Sequence, residues 1–174
     1  MSLLNLFSQY RYKIFFLIVG IYAVTYFHRV STSVIADPLM NEMHINAVQL
    51  GLISGIYFLF YALVQPLVGY LTDKIGSKKV ILYFFLGACL TTLFFGLVPN
   101  YYLAIVARAF IGITTGGIFV PGLKLFSELF NSKHFAKVSG LLIGSGNIGA
   151  MAATAPMAFL EALIGWRSVF FIVA

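Results

Sequence analysis

The chain reads as long apolar runs separated by short clusters of charge. A bilayer-spanning helix needs about 20 apolar residues, and five runs fit that length: Ile14 to Ala36, Val48 to Leu71, Val80 to Leu97, Tyr101 to Leu123 and Val138 to Leu160. A sixth begins at Trp166 and stops at Ala174. Pro99 and Asn100 supply the turn between the third and fourth. The connection KLFSELFNSKHFAK, Lys124 to Lys137, mixes Leu125, Leu129 and Phe130 with charges. That suits either a helix end lying at the membrane interface or a plain connection between helices. No linker, low-complexity tract or soluble domain interrupts the series, so the predicted fold class is an all-α integral membrane bundle.

Charge sets the orientation. Arg11 and Lys13 precede the first run, Lys74, Lys78 and Lys79 separate the second from the third, and Lys124, Lys133 and Lys137 follow the fourth. All of these fall on one side, whereas Asp37, Glu42, Glu161 and, at a span edge, Arg167 fall on the other. The positive-inside rule puts the N-terminus in the cytoplasm, in a multi-pass protein of a cytoplasmic or plasma membrane. No small-residue cleavage site follows the first run and Arg29 interrupts it, so it reads as an uncleaved span.

Composition agrees. Of 174 residues 61% are hydrophobic and 9% charged, with a mean hydropathy of +0.98. A soluble domain carries roughly 25% charged residues, so this chain has too little polar surface for water and takes the lipid bilayer as its surroundings. A net charge of +6 would fit a nucleic-acid binder. Its basic residues, however, are scattered between apolar runs rather than gathered on one face, which argues against that partner. Cys89 is single, which excludes an internal disulfide and a cysteine-rich metal site. No span or loop gathers a nucleophile, a base and a metal-ligand set, so neither an enzyme nor a cofactor is expected.

Between the second and third runs stands GYLTDKIGSKK, Gly69 to Lys79. Asp73 closes a helix while Lys78 and Lys79 open the next, the reverse of what helix dipoles favour. Local stability did not select them. Gly69 would let another helix approach closely, Gly76 supports the turn, and Asp73 is left to meet a partner elsewhere. The stretch resembles the G-x-L-x-D-x-x-G-x-[KR]-[KR] signature of the major facilitator superfamily, carried here by Gly69, Leu71, Asp73, Gly76, Lys78 and Lys79. A merely basic turn is the alternative. Arg108, Gly112 and Gly116 fit the R-x-x-x-G-x-x-x-G pattern of that family's fourth helix, and Gly165, Trp166 and Arg167 resemble the opening of its sixth. The resemblance implies the N-terminal six-helix bundle of a twelve-helix fold, truncated within helix six, with the C-terminal bundle as a missing partner. It also implies alternating access by rocking of one bundle against the other, with Gly69, Asp73, Gly76, Lys78 and Lys79 as a conformational switch.

Two arginines lie inside the runs. A charge within a span costs at least ~2.5 to 3.5 kcal/mol and usually faces a cavity or a partner. At 1.5 Å per residue, Arg29 and Arg108 each sit about 10 Å below the outer end of their span. No Asp or Glu occurs in a span interior to pair with them. Arg29 either lines a cavity or snorkels to the outer interface; Arg108 either joins that cavity or bonds backbone carbonyls of a neighbouring helix. Tyr22, Tyr26, Arg29 and Ser33 share one helical face, and Tyr57, Tyr61 and Gln65 repeat the stripe in the second run. Two polar stripes predict a wet cavity that Asn147 and Thr154 could join, with ordinary tyrosine packing as the alternative. Gly140, Gly144, Gly149 and Ala153 form small-residue ridges for close helix contact.

The stretch YFHRVSTSVIADPL, Tyr26 to Leu39, resembles the organophosphate:phosphate antiporters and the anion:cation symporters, in which an arginine near the outer end of helix one helps hold the substrate. The planar guanidinium fork suits carboxylate or phosphate. The resemblance therefore implies a secondary transporter of a small organic anion, a sugar phosphate or sugar acid, with a proton, sodium or phosphate as the coupling ion. The symporters often carry an acid before that arginine and another in helix four, where this chain has His28 and Thr115. Proton coupling is then either lost or moved to His28, whose unperturbed pKa near 6.5 would allow it; a plain packing role is the alternative. The competing class is a membrane scaffold or assembly subunit that transports nothing.

Overall fold

The computed structural model describes the backbone from Leu3 to Ala174 and the side chains from Tyr10 onward. The described residues form helices α1 (Leu3–Val34), α2 (Ala36–Met43), α3 (Ala47–Ile75), α4 (Ser77–Leu97), α5 (Tyr101–Gly116), α6 (Phe119–Leu129), α7 (Ser132–Ala152), α8 (Ala155–Ile164) and α9 (Trp166–Val173). Five segments are long and apolar enough to cross a membrane: Tyr10–Val34, Ala47–Ile75, Ser77–Leu97, Tyr101–Leu129 and Ser132–Ile164.

Prolines set the breaks. A proline inside a helix has no N–H to give and its ring crowds the carbonyl four residues back. Pro38, Pro121 and Pro156 crowd Val34, Gly117 and Ala152 in this way, and α1, α5 and α7 end at or beside those residues. The fourth and fifth apolar runs therefore divide, into α5 with α6 and α7 with α8. The first stops at Val34, and α2 follows as a separate short helix that the hydropathy pattern left as connection. Those three prolines fall in the first turns of α2, α6 and α8, and Pro66 is carried in the interior of α3.

Caps fix the remaining ends. Asn46 and Gln49 form a reciprocal capping box at α3, each bond 3.0 Å, while Asn100 and Asn131 accept from Leu103 N and His134 N at the starts of α5 and α7. Gly76, at φ +87°, joins α3 to α4 in a conformation that side chains with a Cβ rarely adopt. The connection from Lys124 to Lys137 is mostly helical, shared between the end of α6 and the start of α7.

Packing centres on two helix pairs, α3 with α5 and α1 with α7. Glycine makes both possible. A Cβ at Gly112 would run into the Tyr57 backbone, and one at Gly149 into the Ala23 backbone. Backbones this close allow van der Waals contact along the seam, the main force available between helices in lipid. The expected ridge is only half realised: Ala153 is buried, but a Cβ at Gly140, Gly144 or Gly69 would meet nothing within 4 Å. No described helix approaches those three.

The two ends of the bundle differ. At one, Asp73 of α3 pairs with Lys124 of α6 at 2.6 Å, with Asp73 largely exposed. Asp73, which the motif left to meet a partner elsewhere, thus has one within its own bundle. At the other, Glu42 of α2 accepts from Trp166 Nε1 at 2.8 Å and from Arg167 Nε at 3.1 Å, while Arg167 Nη1 donates to Gly96 O at 2.8 Å. One carboxylate and one guanidinium so tie α2, α4 and α9 together. Burial tends to raise the Glu42 carboxyl pKa, but the bonds from Arg167 and Trp166 outweigh it and hold the pKa below its ordinary value.

Candidate functional site

A ladder of rings and cations crosses the bundle from α6 to α5. Phe119 stacks on Tyr22 at 5.3 Å, and Tyr22 meets Tyr26 edge-on at 5.1 Å. The Arg29 guanidinium lies 4.5 Å from the Tyr26 ring and 4.8 Å from the Tyr61 ring. Tyr61 stacks on Tyr57 at 6.1 Å, and Arg108 lies 4.8 Å from the Tyr57 ring. Helical spacing explains the order, since residues three, four and seven apart share a face. Both stripes read from the sequence thus meet at Arg29.

The two arginines have different surroundings. Arg108 is wholly buried and its Nη2 donates to His28 O of α1 at 3.0 Å, the backbone bond left open as one of its two readings, while its Nε and Nη1 have no partner among the described residues. Arg29 is half-buried, and its Nε is buried without a partner among the described residues. Neither ion pair found among those residues includes it. Its two cation–π contacts, at rings that are themselves half-buried, are worth ~0.5–1 kcal/mol each at an exposed site and about 2 kcal/mol each when desolvated, against ~2.5–3.5 kcal/mol for an intramembrane charge.

The other candidate residues fall into place around this pair. Tyr22 and Tyr57 are buried, and Tyr26 and Tyr61 are half-buried and reachable. Thr115 donates to Ile111 O at 2.7 Å and its hydroxyl lies 3.2 Å from Tyr57 Oη, so the residue at the family's acidic position steadies the tyrosine beneath Arg108. Gln65 Nε2 lies 3.2 Å from Tyr61 O and 3.3 Å from Gly116 O, bracing α3 on α5. Asn147 and Thr154 are exposed. Asn147 makes no hydrogen bond among the described residues and sits about 100° around the helix from Gly146, the α7 residue that faces the Tyr26 ring.

His28 lies elsewhere. Although next to Arg29 in sequence, it is turned into the core, with Nε2 3.1 Å from Thr92 Oγ1 of α4 and its ring against Phe27 and Phe170. A cavity of about 20 Å³, room for one water, adjoins it between Thr25, Cys89 and Thr92. Phe119 and Thr92 were missed by sequence reasoning because one lies in an apolar run and the other makes its contact 64 residues away.

A family model described as "Major Facilitator Superfamily" matches residues 15–174. The chain belongs to that superfamily. Three of its relatives are the "Probable sulfoacetate transporter SauU" of Cupriavidus necator, 28% identical over 87% of this chain and 35% of the relative, the "Hexuronate transporter" of Escherichia coli, 29% identical over 84% and 34%, and the "Probable galactarate/D-glucarate transporter GarP" of Escherichia coli, 28% identical over 92% and 37%. The chain spans about a third of the length of each. A solved bacterial homologue of the human lysosomal transporter Spinster, inward-facing and unoccupied, superposes with a TM-score of 0.84 at 21% identity, over 94% of this chain and 40% of its own. That likeness shows the fold, half of a facilitator-type helical bundle. Within this superfamily member the residues Gly69 to Lys79 span the end of α3, the turn at Gly76 and the start of α4.

Proposed function

We infer that the chain is the N-terminal half of a secondary active transporter for a small organic anion, a sugar acid or sugar phosphate, working by alternating access against a second bundle. Its N-terminus faces the cytoplasm across a cytoplasmic or plasma membrane. One observation carries this reading: Arg29, half-buried between Tyr26 and Tyr61, has no acidic partner among the described residues. A cation kept in the membrane without an acidic partner is explained by a negative group that visits it. The names of the relatives support an anion, since sulfoacetate, hexuronate and galactarate are carboxylates or sulfonates.

In this reading Arg29 is the anchor, Tyr26 and Tyr61 flank the anion, and Tyr22, Tyr57, Gln65 and Arg108 set the shape of the pocket wall. Asn147 contributes only when the second bundle is present. Gly69, Asp73, Gly76, Lys78 and Lys79 form the switch, with the Asp73–Lys124 pair holding in one state and giving way in the other. Uptake by the full-length protein in proteoliposomes, screened against sugar acids, sugar phosphates and short sulfonates, tests the reading. We expect saturable uptake of at least one anion that Arg29→Ala abolishes. No uptake of any anion, or equal uptake by Arg29→Ala, would overturn it.

A further inference from the structure

A second basic site stands apart from the arginine ladder. Where α1 meets the α6–α7 junction, a crevice of about 360 Å³ opens among Arg11, His134 and Lys137 above a floor that includes Phe16, Phe130 and Leu141. No carboxylate is among the residues lining it. The Arg11 guanidinium lies 5.8 Å from the Phe130 ring, and its Nε is buried with no partner among the described residues. His134 Nδ1 lies 2.6 Å from Asn131 Oδ1, which fixes the imidazole at the rim. Phe16 and Leu141 are 68% and 51% exposed, so the floor is open at the outer surface of the described helices.

We propose that this crevice binds an anionic phospholipid, its phosphodiester headgroup held by Arg11 and Lys137 with His134 beside them, and its acyl chains on Phe16, Phe130 and Leu141. The argument is one of complementarity. Three basic groups with no carboxylate favour an anion, and an apolar floor directly below favours one that carries hydrocarbon. A free phosphate would leave that floor uncovered. Basic pockets between membrane helices are a known form of headgroup recognition. The site lies at the end of the bundle that bears Asp73 and Lys124, so a lipid here would brace α1 against α7 independently of any transported anion.

Native mass spectrometry of the full-length protein, released from nanodiscs of equal phosphatidylcholine, phosphatidylethanolamine and phosphatidylglycerol, tests the proposal. The wild type retains phosphatidylglycerol preferentially, and excess inorganic phosphate does not displace it. A basic group near an anionic surface is worth roughly fivefold in affinity. Arg11→Gln with Lys137→Gln therefore lowers retention about 25-fold, while Lys13→Gln with Lys133→Gln, which removes the same charge outside the crevice, leaves it unchanged. No lipid preference in the wild type would overturn the proposal without any variant having to fold. So would unchanged retention in the crevice variant, equal loss in the control, or displacement by phosphate alone.

Discussion

Arg29 and Arg108 stack on tyrosines one turn apart on the same helix, yet one is reachable and the other sealed. Around Arg108 the α3–α5 seam is closed: Gly112 lets the backbones touch, Thr115 and Tyr57 lie within hydrogen-bonding distance, and a helix carbonyl takes the guanidinium. Around Arg29 only rings are offered. Two residues of one type, both without acids among the described residues, so stand in different surroundings. One guanidinium reaches a backbone carbonyl of a neighbouring helix, and the other lies between aromatic walls. Burial and partner, not residue type, separate the two settings.

The largest effect that sharpens this contrast is on stability. Arg108→Ala should cost about 3 kcal/mol of SDS-unfolding free energy, from a cavity and a lost charge-assisted bond. Arg29→Ala should cost less, about 1 kcal/mol, since the lost ring contacts are partly offset by removing a charge from the membrane. Equal losses would erase the distinction. Next comes the switch: Asp73→Asn should slow turnover several-fold in the full-length protein while substrate affinity stays near wild type, because an exposed pair biases states rather than binding. A change in affinity with turnover intact would place Asp73 in the site instead. His28, sealed like Arg108, should behave as a packing residue, so His28→Asn should weaken the fold yet leave the pH response of uptake unchanged. A flattened response between about pH 5 and 8 would make it the coupling group.

The smallest effect belongs to the Glu42 clamp. Because Arg167 and Trp166 hold its carboxyl pKa below the ordinary value, the clamp contributes stability at neutral pH that is lost as pH falls through the carboxylate range. Glu42→Gln should lower stability by about 1 kcal/mol or less and remove that acid-side loss in unfolding curves. Unaltered curves would make the clamp incidental.

How much of this was legible in the sequence follows from the range of the forces involved. Helix periodicity put Tyr22, Tyr26 and Arg29 on one face and Tyr57, Tyr61 and Gln65 on another, because side chains one turn apart must share a side. The depth of both arginines followed from helix rise alone. What pattern could not give was the partner across space. Glu42 meets Trp166 124 residues away, and Arg108 meets a carbonyl, which every residue carries and no motif records. The divided runs were readable from Pro121 and Pro156, but hydropathy averages over a proline and hides the break. Gly140 and Gly149 look alike in sequence, and only the neighbouring helix decides which one is filled.

The central claim is that hydrogen-bond geometry at Arg29 grips the anion, and affinity measured on purified full-length protein tests it most directly. The ligand is whichever anion the uptake screen finds, and the proteins are the wild type, Arg29→Lys and Arg29→Ala. Charge-assisted bonds are worth ~1.5–3 kcal/mol, so Arg29→Ala should lose about 100-fold in affinity. Arg29→Lys should lose nearly as much, because lysine keeps the charge but not the planar fork. Wild-type affinity in Arg29→Ala would contradict the anchor outright, and normal binding by Arg29→Lys would leave a charge-only site in place of the bidentate grip.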